Sequence, residues 1–264
     1  MYKFYFPMQT LRITQNPYGD TSHHKHNLGT PKDYPIDSAG DIHTTGGRSA
    51  CFAPVDMKVT AIKGVGNSAT NTIWLVSVDK VKAPKFIDHV FMAITHWNDN
   101  DGAIKKHNKI GAIVKKGEII CYEGTDGASA NHLHIVVGRG SSNNWLKNSK
   151  GAWVIQGDCK PPEEVMYVYT RFTTIQDAGG INWELTDTDV YNDVLGPRGY
   201  LKHGDSGDNV SKIADFLAKD VKGNYFGDYM EACVKVFQQQ NKLEIDGCIG
   251  PKTLAKMREK GLEI

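Results

Sequence analysis

Two histidines one residue apart, His132 and His134, stand at the head of the apolar run Leu133-His-Ile-Val-Val. In a strand, alternate residues leave the same face about 6–7 Å apart. Both imidazoles can then meet one centre, one as a metal ligand and the other as a group that handles a proton. Catalytic zinc asks for three protein ligands and one open position. His134, deeper in the apolar run, is the first candidate ligand. Asp37 closes the segment Tyr34-Pro-Ile-Asp, where a sheet edge can present a short carboxylate toward a cleft; the plainer alternative is a turn aspartate capping Gly40. The cluster Ser22-His23-His24-Lys25-His26 offers a third ligand, and local chemistry alone does not rank its three histidines. His96 follows Ala93-Ile-Thr and can approach from a neighbouring strand. Paired with His132 it could orient a zinc-bound water and stabilise an oxyanion. His43, His89 and His107 have no comparable setting.

These residues must be positioned by a sheet. Val59-Thr-Ala-Ile, Thr72 to Val78, Val90 to Thr95 and the stretch after Lys115-Lys-Gly-Glu read as short strands rich in β-branched and aromatic residues. Gly64, Gly66-Asn67 and Asn98-Asp-Asn-Asp101 punctuate them. Helical periodicity is nearly absent before about residue 140, so a mainly antiparallel β domain folded around a groove is expected. Residues 1–165 are assigned to it. Residues 166–194, with Asp177-Ala-Gly-Gly and Asp187-Thr-Asp189, read as a connector anchored by Trp183 and Tyr191, because so long an irregular stretch is unusual inside a domain.

From Leu195 the period changes. Val210, Ile213, Phe216 and Leu217, then Ala232, Val234, Val236 and Phe237, then Leu254 and Met257, mark three amphipathic helices. Asp208 or Ser211 is expected to cap the first, and Pro251 to open the last. Residues 195–264 therefore form a small all-α three-helix domain, better suited to binding than to catalysis.

Composition narrows the function. Among 264 residues, 31 Lys plus Arg balance 30 Asp plus Glu, so no single-sign field favours nucleic acid as a partner. No apolar run reaches the length of a transmembrane helix, and the opening Met-Tyr-Lys-Phe-Tyr-Phe-Pro is too short for a secretory signal. Five cysteines without close pairing read as reduced thiols, with Cys51, Cys121 and Cys233 the buried ones. A cytoplasmic site of synthesis is expected.

Taken together, Tyr34-Pro-Ile-Asp37, Phe52-Ala-Pro-Val-Asp, Ile94-Thr-His96, Lys116-Gly-Glu-Ile-Ile and Gly124-Thr-Asp-Gly-Ala-Ser-Ala-Asn-His-Leu-His134 resemble, in order, the lysostaphin-like or LytM-like zinc metallopeptidases of bacterial peptidoglycan. The resemblance spans roughly residues 10–138. It implies Asp37 and His134 as zinc ligands and His96 and His132 as the histidines that assist the water. Many members carry a histidine four residues before the aspartate, where this chain has Asp33. Some phage-type relatives place a Ser-His upstream instead, which points to His23, ahead of His24 and His26, with an Asp33 ligand as a further alternative. Leu201-Lys-His-Gly-Asp-Ser-Gly-Asp, Tyr225-Phe-Gly and Leu243-Glu-Ile-Asp-Gly-Cys-Ile-Gly-Pro resemble the helical peptidoglycan-binding domain found beside wall hydrolases.

The resemblance implies a phage-type endolysin: a zinc endopeptidase cutting stem peptides or cross-links, tethered to the wall. It would be held in the host cytoplasm before lysis and would need a membrane-permeabilising protein to reach its substrate. An amidase cutting between sugar and peptide, and a non-catalytic wall-binding protein, are the alternatives.

Overall fold

The computed structural model describes residues 1–8, 11–19, 22–40, 48–65, 71–169, 178–186, 194–195, 199–218 and 223–264. His43, the Gly66-Asn67 punctuation, Asp177, the Asp187-Thr-Asp189 stretch and Tyr191 lie outside them.

Eight strands build the main sheet: β1 (Ile13–Gln15), β2 (Ile36–Ser38), β4 (Met57–Lys63), β5 (Thr72–Ser77), β8 (Val90–Thr95), β9 (Ile113–Val114), β11 (Leu133–Arg139) and β14 (Asp158–Cys159). Their order is β1-β2-β11-β8-β5-β4-β9, with β14 beside β11, and every pairing is antiparallel. Two-stranded ribbons flank it: β3 (Ala50–Phe52) with β10 (Ile119–Tyr122), β6 (Val81–Lys82) with β7 (Ile87–Asp88), β12 (Trp145–Lys147) with β13 (Trp153–Ile155), and β15 (Tyr167–Tyr169) with β16 (Glu184–Thr186). Three short helices intervene: α1 (His24–Asn27), α2 (Gly102–His107), capped by the Asp101 carboxylate accepting from Ala103 N, and α3 (Pro162–Val165).

Alternation along the strands divides the sheet into two faces. Ile73 and Leu75 of β5, Met92 and Ile94 of β8, and Leu133, Ile135 and Val137 of β11 enter the large core with Phe4, Phe6 and Met8. The intervening Trp74, Phe91, Ala93 and Val136 face the other way and pack against Ile155, Cys159 and Trp145. A bulge in β4 sets two residues, Thr60 and Ala61, against Trp74 alone, so Val59 serves the first face and Ala61 the second. Each fully buried aliphatic or aromatic side chain contributes about 1.5–3 kcal/mol, which fixes the register against a one-residue slip.

The described residues fall into two compact units, Met1–Asp187 and Thr188–Ile264. Part of the segment expected as a connector belongs to the first. Tyr167, Val168, Ala178, Ile181 and Trp183 are buried in its core, and β15 pairs with β16 in parallel. Trp183 is an anchor as expected, whereas Tyr167, Val168, Ala178 and Ile181 are apolar residues spread too thinly to show a period.

The second unit is helical: α4 (Asp208–Leu217), α5 (Asp228–Gln240) and α6 (Pro251–Glu259) around Val210, Ile213, Phe226, Met230, Val234, Leu254 and Met257. Pro251 opens α6 as expected, but Gly207 is the N-cap of α4, with Asp208 inside the first turn and no side-chain cap. Val236 lies on the solvent face of α5 at 51% exposure. The buried Gln238 side chain instead crosses to the loop before α6, reaching Cys248 O at 2.8 Å and accepting from Gly247 N at 3.0 Å. Cys51 and Cys121 are buried as expected, Cys233 is half-buried, and Cys159 is buried as well.

Candidate metal centre

Register brings the site together. His134 of β11 lies opposite Asp37 of β2 on one side and Thr95 of β8 on the other, and Thr95 lies opposite Thr72 of β5. Laterally paired residues share a face, so Asp37, His134, Thr95 and Thr72 form one row across four strands. β2 is flanked by β1 and β11, so Asp37 is presented from inside the sheet, not from its edge.

Asp37 is the focus. Its Oδ1 lies 3.0 Å from His23 Nε2 and 3.0 Å from His134 Nδ1, and its Oδ2 lies 3.6 Å from His132 Nε2. Ligand atoms of His23, Asp37 and His134 all fall within 4.8 Å of one another. Bonds of 2.0–2.1 Å in a tetrahedral zinc site place donors about 3.3 Å apart, so this spacing and the two-nitrogen, one-carboxylate donor set fit a divalent zinc ion. His23, at 2% exposure, is the N-cap residue of α1 and has no partner for Nδ1 among the described residues. Only its Nε2 edge is engaged, and that edge meets Asp37. Burial would raise the Asp37 carboxyl, but hydrogen bonds and charge from His134 and His23 outweigh it and hold the group ionised well below the usual carboxylate range. Burial pushes His134 down, keeping the imidazole neutral as a ligand must be.

The neighbouring histidines of the upstream cluster take other places. His24 is exposed. His26 points Nδ1 at Asp33, 2.9 and 3.2 Å from its two oxygens. Asp33 is 1% exposed and also accepts from Ile155 N at 2.8 Å. Its carboxylate is therefore committed to His26 and to β13, and neither residue joins the donor set.

His96 and His132 stand beside the set, their rings 4.8 Å apart, with His96 5.9 Å from the His134 ring. His96 Nδ1 meets Asp126 O at 2.7 Å, and His132 Nδ1 meets Ala130 O at 3.0 Å. A carbonyl only accepts, so both rings carry a proton on Nδ1, and the neutral ring then has its lone pair on Nε2. Burial first, then the charge of His134, lowers His96 to about 4, so this lone pair is present at neutral pH. His96 has a positive φ of 74°, a strained conformation for a non-glycine residue. Asn71, fully buried, stabilises it: its Oδ1 accepts from His96 N at 3.0 Å while its amide donates to Trp97 O. Gly124 completes the support, because a Cβ there would lie 2.3 Å from His96 O and 2.7 Å from Asn98 N.

A cleft of ≈ 380 Å³ opens over the row, with Thr72, Thr95, His96 and His134 along it and His26, Trp145 and Trp153 at its walls. Asn71, Asp126 and the wall tryptophans escaped the sequence reading. Asp126 lies in the quoted run Gly124-Thr-Asp-Gly, but its role, like that of Asn71, comes from contacts between loops distant in sequence. His89, bonded through Nδ1 to Ser77 O, and His107 of α2 take no part.

Residues 210–257 match the family model described as "Putative peptidoglycan binding domain". No curated protein matches the chain. Among solved structures, "Identification and structural characterization of LytU" aligns with 18% identity over 62% of this chain and 87% of that chain, at a TM-score of 0.34. The chain thus combines an antiparallel β unit bearing a His-Asp-His group able to hold a metal with a helical unit matching a peptidoglycan-binding family.

Proposed function

We propose that the protein is a zinc-dependent endopeptidase that hydrolyses peptide bonds in the stem peptides or cross-links of bacterial peptidoglycan. The observation that carries this reading is the convergence of His23, Asp37 and His134 on one point beside two histidines with fixed tautomers. The match of residues 210–257 supports peptidoglycan as the polymer.

In this reading His23, Asp37 and His134 hold the ion. When bound, zinc supplies Lewis acidity toward a carbonyl and a water of lowered pKa. His96 and His132 offer Nε2 to take a proton from the attacking water, and once protonated they donate to the developing oxyanion or the leaving amine. The carbonyls of Asp126 and Ala130 keep both rings turned for that exchange. Trp145 and Trp153 give the flank of the cleft an apolar wall on which a peptide side chain can pack. The helical unit raises the local concentration of the peptidase on an insoluble polymer.

Purified protein incubated with wall fragments should release new amino termini. A chelator should stop the release and added zinc restore it, and His134→Ala should abolish it. New reducing ends without new amines, or undiminished lysis by His134→Ala, would refute the reading.

A further inference from the structure

We propose that His26, oriented by Asp33, is a substrate-binding residue of the cleft, accepting a hydrogen bond from a backbone amide N–H of the bound peptide. This rests on the endopeptidase reading above. His26 belongs to the histidine cluster from which the metal set draws, yet its Nδ1 is bonded to a carboxylate that can only accept. In the neutral ring that bond leaves Nε2, on the far edge, as the acceptor.

Three observations separate this residue from a surface histidine. Its ring lines the cleft, 5.8 Å from the ring of His134 and 6.0 Å from that of His23. Its orienting partner Asp33 is buried and held by the backbone of β13, so the ring is fixed relative to the wall that carries Trp153 and Ile155. The helix that carries it is tied to the same wall, since the buried Asn148 side chain reaches Lys25 O at 3.0 Å and Leu28 O at 3.2 Å and accepts from Ala152 N at 3.0 Å. His26 and the β12–β13 ribbon thus move as one wall, with the row of His134, Thr95 and Thr72 forming the floor. An extended peptide laid along that floor with its carbonyl toward the metal set presents N–H groups at its edges. An acceptor on the wall fixes the register of the scissile bond, whereas His96 and His132 serve the bond itself.

The test uses the full-length protein and its His26→Ala, His26→Gln and Asp33→Asn variants, with zinc stoichiometry, melting temperature, and kcat and KM for amine release from purified peptidoglycan. His26→Ala should keep full zinc, melt lower because the buried Asp33 carboxylate loses a partner, raise KM about tenfold, the worth of one hydrogen bond of about 1.4 kcal/mol, and leave kcat within about twofold. His26→Gln, which restores an acceptor, should recover part of the KM. Asp33→Asn should follow His26→Ala in KM. Loss of zinc in His26→Ala would make it a ligand and overturn the proposal, as would an unchanged KM or a change only in melting temperature. If zinc-loaded wild-type protein released no amines, the endopeptidase reading would fall and this proposal with it. An active wild type with an indifferent His26→Ala would remove this proposal alone.

Discussion

Gly124→Ala separates the two halves of the candidate site. The added methyl would lie 2.3 Å from His96 O, 2.4 Å from Asn98 Oδ1 and 2.7 Å from Asn98 N. Two of these atoms are backbone and cannot swing away. Ordinary carbon–oxygen contact needs about 3.2 Å or more, so the His96–Asn98 loop or the segment around Gly124 must yield by roughly 1 Å. Overpacking of this kind costs about 1–3 kcal/mol of stability. The same shift reaches chemistry: His96 is held through its own backbone, and His132 N bonds Gly124 O at 3.2 Å. A displacement of about 1 Å in a positioned group lowers a rate by on the order of 100-fold. The metal set is spared, because His23, Asp37 and His134 come from α1's entry, β2 and β11. The expected variant therefore melts lower, binds zinc at wild-type stoichiometry by elemental analysis, and releases amines roughly 100-fold more slowly, with the loss in kcat. Wild-type turnover would refute the placement of His96 and His132 in catalysis. Loss of zinc would refute the claim that the two halves are structurally separate.

Three further outcomes follow from the same geometry. Asp37→Ala, which removes the carboxylate shared by His23 and His134, should leave too few donors to retain zinc through gel filtration and should abolish amine release; retained zinc would show that the ion sits elsewhere. In chelated protein, His96 is held neutral to about pH 4 in the fold but titrates near 6.5 when unfolded, so its contribution is present above pH 6.5 and lost as the pH falls toward 4. At about 1.4 kcal/mol per pH unit the loss has a ceiling of about 3.5 kcal/mol, reduced because the half-buried ring meets solvent. Urea unfolding should show a steeper acid loss for wild type than for His96→Gln, and equal slopes would contradict this. Gln238→Leu strips partners from Gly247 N and Cys248 O, costing roughly 2–4 kcal/mol in the helical unit. Retention on peptidoglycan should weaken while cleavage of soluble fragments persists; unchanged retention would separate wall binding from that loop.

Sequence alone determined what depends on local pattern. Alternating β-branched runs and the later 3–4 spacing forecast strands before helices, because burial of one face imposes a period on the chain. His132 and His134 were legible as a pair for the same reason, being two residues apart in a strand, and Asp37 and His96 stood out at the ends of apolar runs. The choice among His23, His24 and His26 belonged to tertiary structure. Three histidines within four positions differ little in composition, and only the packing of α1 aimed the buried His23 at Asp37, gave His26 to Asp33 and left His24 in solvent. The action of Asn71, Asp126 and Gly124 on His96 was invisible for a related reason, although the last two lie in the motif that ends at His134: each acts across 25 to 30 residues of chain. A hydrogen bond or a steric limit between distant loops leaves no period behind, and it comes into existence only when the sheet brings those loops together.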